Sequence, residues 1–359
     1  MDFSNAAVTL IIDKFAQNPV SLVNTRSTAI ARACEGQTPE TARLILRSLL
    51  GLCPVAQTFA LDSAIALLTT PYSSRTAEAR SKLVAVEAIL ETLRVLSLDL
   101  KRIVSRAHVS DASLKTIGAL RAKLWQLSGA TPFDTEAALA LYEEAAALAM
   151  LWLTREKKTI GAIKTAYDRF EGLTLSGDRL LFPDELKSEA ALQFSLKELT
   201  DSEQFALSPR LMGCRVTGAL ARIRASVQGP QARGEFTVKD LIVARFVELR
   251  HVAAGKAPAY GCQALRLDEH TAVGLSETAR GTLLHFVRLK NGLIEAFHIV
   301  APTEWSFQAG SPMLTLMNQY ARTKLTAPKS TESGLRLIAG AFDACTPLFV
   351  QWEKGGHHA

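Results

Sequence analysis

The stretch Glu277–Phe307, ETARGTLLHFVRLKNGLIEAFHIVAPTEWSF, decides how the chain is read. Two apolar runs, Thr282–Leu289 and Leu293–Val300, flank Asn291-Gly292, a pair that tolerates positive φ at both turn positions and is the strongest short hairpin signal in the sequence. Arg280 precedes the first run, and Pro302 and Thr303 follow the second. The pattern predicts a β-hairpin over 282–300.

Working outward, Met313–Thr323 and Glu332–Cys345 read as helices, placing C-terminal helices over about 312–345. On the N-terminal side Val238–Ala254 has helical periodicity. Residues 173–210, with Gly177, Pro183 and Pro209, read as loop-rich and as a candidate cover for a site. Thr135–Glu156 is predicted as a helix capped by Thr135, with Glu136 in its first turn. Thr76–Val104 contains a long amphipathic helix with Leu83, Val86, Ile89, Leu90, Leu93 and Leu96 on one broad face. Pro39 to about Leu68 is helical, with a break near Gly51 and Pro54, so a helical body extends over about 39–255. Val8–Ile12 and Val20–Val23 predict an N-terminal hairpin within about 6–26. No internal repeat is evident. The expectation is one domain over 1–359, mainly α (α+β), with a helical-bundle core and small peripheral β-hairpins.

Composition narrows the function classes. Of 359 residues 48% are hydrophobic and 7% aromatic, which favours a helix-rich globule. The formal charge of +6 invites a nucleic-acid reading, but the basic residues are interspersed among 35 acidic ones and never form a run of five or six. The opening MDFSNAAVTLIIDKF carries Asp2 and Asp13 and no basic region, unlike a secretory signal. Ala137–Leu153 is interrupted by Glu143 and Glu144 and is short for a bilayer span, so it reads as a core helix. Five widely spaced cysteines without a CxxC pair fit a reducing compartment. A cytoplasmic protein with neither nucleic acid nor membrane as partner is expected.

Taken singly, the cysteines read as small buried hydrophobes. Four segments in order change that. Gly36–Ala60 (GQTPETARLILRSLLGLCPVAQTFA) resembles the [NiFe]-hydrogenase large-subunit pattern G-x-x-P-x-x-A followed by R-x-C-G-x-C-P-x-A-H, with Gly36, Pro39, Ala42, Gly51, Cys53, Pro54 and Ala56 in register. Ser208–Arg222 (SPRLMGCRVTGALAR) is similar to A-P-R-x-x-G and G-P-L-A-R. Glu277–Phe307 resembles E-x-P-R-G-x-L-x-H, a hairpin, and V-P-S/T-T-W-N, with Ala279 in place of the family's proline. Ala341–Gln351 (AFDACTPLFVQ) is similar to S-F-D-P-C-x-x-C-x-x-H.

In that family two CxxC pairs hold a nickel–iron centre through soft thiolates. Here the resemblance puts Leu50 at the first and Cys53 at the second position of the N-terminal pair, and Cys345 and Leu348 at those of the C-terminal pair. The family's flanking histidines correspond to Gln57 and Gln351, and its N-terminal acid falls near Ala31, with Glu35 out of register. Leucine cannot ligate metal, so no nickel and no hydrogen turnover are expected. The residues that serve iron's diatomic ligands in the family keep their chemistry: Arg280 and Thr303 as donors to cyanide, Leu283 and Pro302 as an apolar wall for carbon monoxide.

The resemblance is to large-subunit-like maturation proteins of the HupK/HoxV type. It implies a non-catalytic scaffold that holds the Fe(CN)2(CO) unit through Cys53 and Cys345, receives it from an iron-chaperone complex and passes it to the hydrogenase large-subunit precursor. Two other readings stand beside it: a metal-free large-subunit mimic that docks maturation chaperones or hydrogenase subunits, and a divergent hydrogenase. At residue level, Arg280 in a surface ion pair and Thr303 capping the Pro302 turn is the plain structural alternative. Cys34 is a reserve ligand, Cys214 and Cys262 read as structural, and His357 and His358 read as a frayed tail.

Overall fold

The computed structural model describes residues 7–100, 104, 110–229, 233–256, 260–343 and 347–353. Cys345, His357 and His358 lie outside these.

The N-terminal hairpin forms as β1 (Val8–Ile12) and β2 (Val20–Asn24), antiparallel. Val8, Leu10 and Ile12 alternate inward along β1, the period a half-buried strand requires. β1 also pairs, in parallel, with β9 (Leu348–Trp352), so a strand from the end of the described chain completes a three-stranded sheet with its beginning. Asn318, on the helix Pro312–Arg322, fastens the hairpin: its amide bonds both the N–H and the C=O of Val20, at 2.8 and 2.9 Å.

Helices α1 (Ala29–Cys34) and α2 (Pro39–Leu49) lead into α3 (Pro54–Leu68), where the predicted break falls. α3 is buried on nearly every face. Its N-cap is Cys53, in the left-handed region at φ 56°, and its side chain makes no cap hydrogen bond. The orphan N–H groups of Val55 and Ala56 instead donate to Glu87 on α4 (Ser74–Arg94), at 2.9 and 2.8 Å. A carboxylate from the neighbouring helix thus replaces the cap and locks α3 to α4. α4 runs into a π-helical turn, Val95–Asp99.

The hairpin of the deciding stretch forms as β7 (Gly281–Lys290) and β8 (Leu293–Val300), with Asn291 and Gly292 at φ 52° and 76°. After the short pair β3 (Thr174–Leu175) and β4 (Phe236–Thr237), two further strands, β5 (Gly261–Arg266) and β6 (Thr271–Thr278), extend the hairpin into an antiparallel sheet of order β5-β6-β7-β8. Every residue of β6 is buried, and so is β7 from Gly281 to Val287. β7 was expected from the sequence, whereas β6, covered on both faces, lacks the two-residue alternation that marks half-buried strands. α3 lies directly on this sheet at Gly274, where any Cβ would run into the Ala60 carbonyl.

Two local expectations need correction. The helix Thr135–Arg155 is capped by Asp134, whose carboxylate accepts from Ala137 N at 2.9 Å; Thr135 is its first residue. The segment 173–210 contains the helix Glu189–Asp201, with Leu192 and Leu199 buried, so its glycines and prolines punctuate structure rather than mark one long loop. Thr135–Arg155 is the one helix among the described residues long and apolar enough to cross a membrane; its Leu141, Ala145, Ala149 and Trp152 are buried in the core. The helix Pro328–Phe342 ends at Asp343, which takes a left-handed C-cap at φ 55°.

Candidate functional site

The turn between β6 and β7 carries Arg280. Gly281 follows at φ 133°, and a Cβ there would collide with the Thr217 side chain, so this turn requires glycine. Thr278 Oγ1 accepts from Arg280 N at 3.2 Å and donates to Gly281 O at 2.9 Å, fixing the turn from within.

The Arg280 guanidinium is buried, and it joins three elements. Nη1 donates to Cys53 Sγ at 3.3 Å, at the N-terminus of α3. Nη2 donates to Glu91 Oε1 at 2.6 Å, on α4, and lies 3.4 Å from Asp343 Oδ1. Nε donates to Asp343 O at 3.2 Å. This overturns the surface ion-pair alternative: the pairs are interior ones.

Both carboxylates are themselves shared. Glu91 accepts from Arg94 Nη2 and Nε at 2.8 and 2.9 Å and from Arg121 Nη1 at 3.1 Å. Burial pushes its carboxyl up, but hydrogen bonds from Arg94 and the charge of Arg280 outweigh this and bring it down to about 2. Asp343 Oδ2 accepts from Arg245 at 3.1 Å. Arg280 thus stands against Cys53, and its carboxylate partners Glu91 and Asp343 draw Arg94, Arg121 and Arg245 into the same buried network. Glu87, one turn before Glu91, is driven up to about 7 by burial, opposed by the N–H bonds of Ala56 and Val55. A cleft of about 50 Å³ leads to the sulfur, lined by Cys53, Pro54, Glu87, Glu91, Arg121 and Trp125.

Cys53 and Arg280, far apart in sequence, are thus in direct contact. Thr303 is 4% exposed, and its Oγ1 accepts from Arg26 Nη1 at 3.0 Å, while the same guanidinium pairs with Glu304. Leu283 is fully buried in the core cluster against which Cys53 packs, and Pro302 is buried. Cys345 lies outside the described residues, two positions after Asp343 in the chain. Leu50 is the C-cap of α2, and Leu348 opens β9. Among the described residues no group of three or more His, Cys, Asp and Glu side chains is arranged to hold a metal ion.

The remaining thiols differ from Cys53. Cys34 is sealed in the core and pushed up to about 12 by burial, which keeps it protonated and inert. Burial raises Cys262 as well, and Cys214 lies beside Gln308 and Ala309. The reading from sequence did not contain Glu87, Glu91, Asp343 or Arg26. The available signal was Glu87 and Glu91 lying four apart within the mainly apolar run Leu83–Leu93 of an amphipathic helix.

This architecture is that of a [NiFe]-hydrogenase large subunit. Residues 248–318 match the model of the nickel-dependent hydrogenase family, and the NiFeSe hydrogenase of D. vulgaris Hildenborough superposes with a TM-score of 0.58 at 12% identity, over 92% of this chain and 94% of that one. The chain is similar over most of its length to proteins named HupK and HupV, and over 109 residues to one named HoxV. It is 29% identical to the hydrogenase expression/formation protein HupK of Azotobacter vinelandii over 338 residues, covering 90% of each. It is 29% identical to the hydrogenase expression/formation protein HupV of Azotobacter chroococcum mcd 1 over 346 residues, again 90% of each.

Proposed function

We propose that this chain is a non-catalytic scaffold in [NiFe]-hydrogenase maturation, transiently holding an Fe(CN)2(CO) unit as cargo before transfer to the large subunit. The names of the relatives support the maturation role. The observation that carries the finer reading is the 3.3 Å contact between Arg280 Nη1 and Cys53 Sγ. A soft thiolate suits low-spin iron. A guanidinium against that sulfur is a donor within reach of anionic ligands on iron bound there. The donor set fits such cargo: one thiolate at Cys53, a cationic surround that tolerates the negative charge of cyanide and thiolate together, and apolar Leu283 in the same core. Cys345 is the proposed second anchor. With leucine at Leu50 and Leu348, two thiolates hold more weakly than four, which favours onward transfer.

The partners in this reading are an iron-chaperone complex as donor and the large-subunit precursor as acceptor, and the location is cytoplasmic. The test is infrared spectroscopy of the protein purified anaerobically after co-expression with its maturation partners. Cyanide and carbonyl stretches, absent from a Cys53→Ala control, are expected. A clean spectrum from the wild-type chain would overturn the cargo reading and leave the metal-free docking role.

A further inference from the structure

Segments 177–185 and 212–215, with Arg233, enclose a groove of about 430 Å³ that none of the preceding chemistry uses. It is lined by Arg179, Arg215, Arg233, Glu185, Asp178 and Cys214. Three guanidinium groups face two carboxylates there, and the carboxylates are unequal. Glu185 is committed: Oε2 accepts from Phe182 N at 2.9 Å, and Oε1 from Arg215 Nη1 at 2.7 Å and Arg233 Nη2 at 2.8 Å. Asp178 is 74% exposed and 4.0 Å from Arg233 Nε, so water screens much of its charge.

The cations are left with spare donors. Arg215 is 6% exposed, Glu185 is its carboxylate partner, and its buried Nε has no partner among the described residues. Arg179 spends Nη2 on the carbonyl of Gly310, at 2.7 Å, and its buried Nε is likewise without a partner. Each guanidinium carries five N–H groups in a rigid fork that matches planar or tetrahedral oxyanions. The frame is fixed by main-chain bonds, Leu181 N to Val216 O at 2.9 Å and Val216 N to Arg179 O at 2.8 Å, and Arg233 stacks on Phe182, 5.0 Å from the ring centre. On the loop that carries Cys214 and Arg215, Met212 holds a left-handed conformation at φ 52°, while 85% exposed.

We propose that this groove is an oxyanion site, binding a phosphate- or carboxylate-type group between Arg179, Arg215 and Arg233, with Glu185 orienting the last two. The volume accommodates the body of a small molecule behind the anionic group. The groove shares no residue with the contact of Cys53 and Arg280, so the inference stands whether or not iron is carried.

Cys214 lines the groove and reports on it locally. In the full-length protein, alkylation of Cys214 by iodoacetamide, followed by peptide mass spectrometry, is measured with inorganic phosphate and with sodium chloride at equal ionic strength. Phosphate is expected to slow the reaction at least about fivefold at saturation, and Arg179→Gln with Arg233→Gln to weaken its half-point about tenfold. A short peptide ending in Glu, run in parallel, distinguishes the sources: protection by phosphate alone means a free small anion, and protection by the peptide at lower concentration means a carboxylate presented by a protein. Both outcomes uphold the site. Rates equal to those in chloride with either probe, or protection that survives in the double variant, overturn it.

Discussion

His285 Nε2 donates to Gln57 Oε1 at 2.6 Å, joining the first turns of α3 to the middle of the buried sheet, with both side chains sealed from water. The histidine ring also stands edge-on to Phe297, 5.1 Å between centres, and its Nδ1 has no partner among the described residues. Gln57 occupies the place where the resemblance puts a histidine. A neutral amide there accepts one hydrogen bond from a neutral imidazole, and the pair holds two elements of the core together without charge.

That pairing sets a pH dependence. Burial lowers His285 from its ordinary value near 6.5 to about 3. Below about pH 6.5 the unfolded chain gains a proton that the native state refuses until about 3, so the native state keeps this stability above 6.5 and loses it progressively as the pH falls toward 3. The slope inside that window is about 1.4 kcal/mol per pH unit. Urea unfolding at pH 7 and pH 5 should show wild type losing at least about 1 kcal/mol more than His285→Gln on acidification. Parallel acid slopes for the two proteins would refute it.

Arg280→Met should destabilise the fold by about 3 kcal/mol or more in denaturant unfolding, because Glu91 and Asp343 lose a buried partner. Arg280→Lys should recover part of this, since one ammonium cannot reproduce the fork across Cys53, Glu91 and Asp343. Equal stability of the methionine variant and wild type would mean that the remaining arginines suffice.

Gly281→Ala is predicted to cost more than about 2 kcal/mol, since the residue combines φ 133° with a Cβ path into Thr217. A variant that unfolds at the wild-type urea concentration would show that the turn before β7 can relax.

Cys53→Ser and Cys214→Ser separate the carrier from the docking reading. In a strain that depends on this chain for hydrogenase activity, the first should abolish cargo signals and maturation while far-ultraviolet circular dichroism is retained, and the second should leave both intact. Normal maturation with Cys53→Ser would favour the metal-free mimic.

Purified protein incubated anaerobically with nickel is expected to take up no hydrogen, since Leu50 and Leu348 offer no ligand. Measurable uptake would restore the divergent-hydrogenase reading.

Much of the architecture was legible in the chain itself because local chemistry dictates it. Asn291-Gly292 sets a turn wherever it stands, the break before Pro54 ends one helix and starts another, and the alternation of Val8, Leu10 and Ile12 needs one buried face. β6 escaped because a strand covered on both faces loses that alternation, β5 because it is an edge strand with no buried residue to mark an inward face, and β9 because a short parallel pairing with β1 depends on a partner more than 300 residues away. For the candidate site, it was the resemblance of four sequence segments to a known family that nominated Cys53 and Arg280. Only tertiary structure decided that they touch, that Glu91 and Asp343 hold the guanidinium between them, and that Glu87 caps the helix Cys53 begins. The reason is physical: periodicity and turn chemistry act over a few residues, whereas a buried charge takes its partners from whichever elements the fold carries to it.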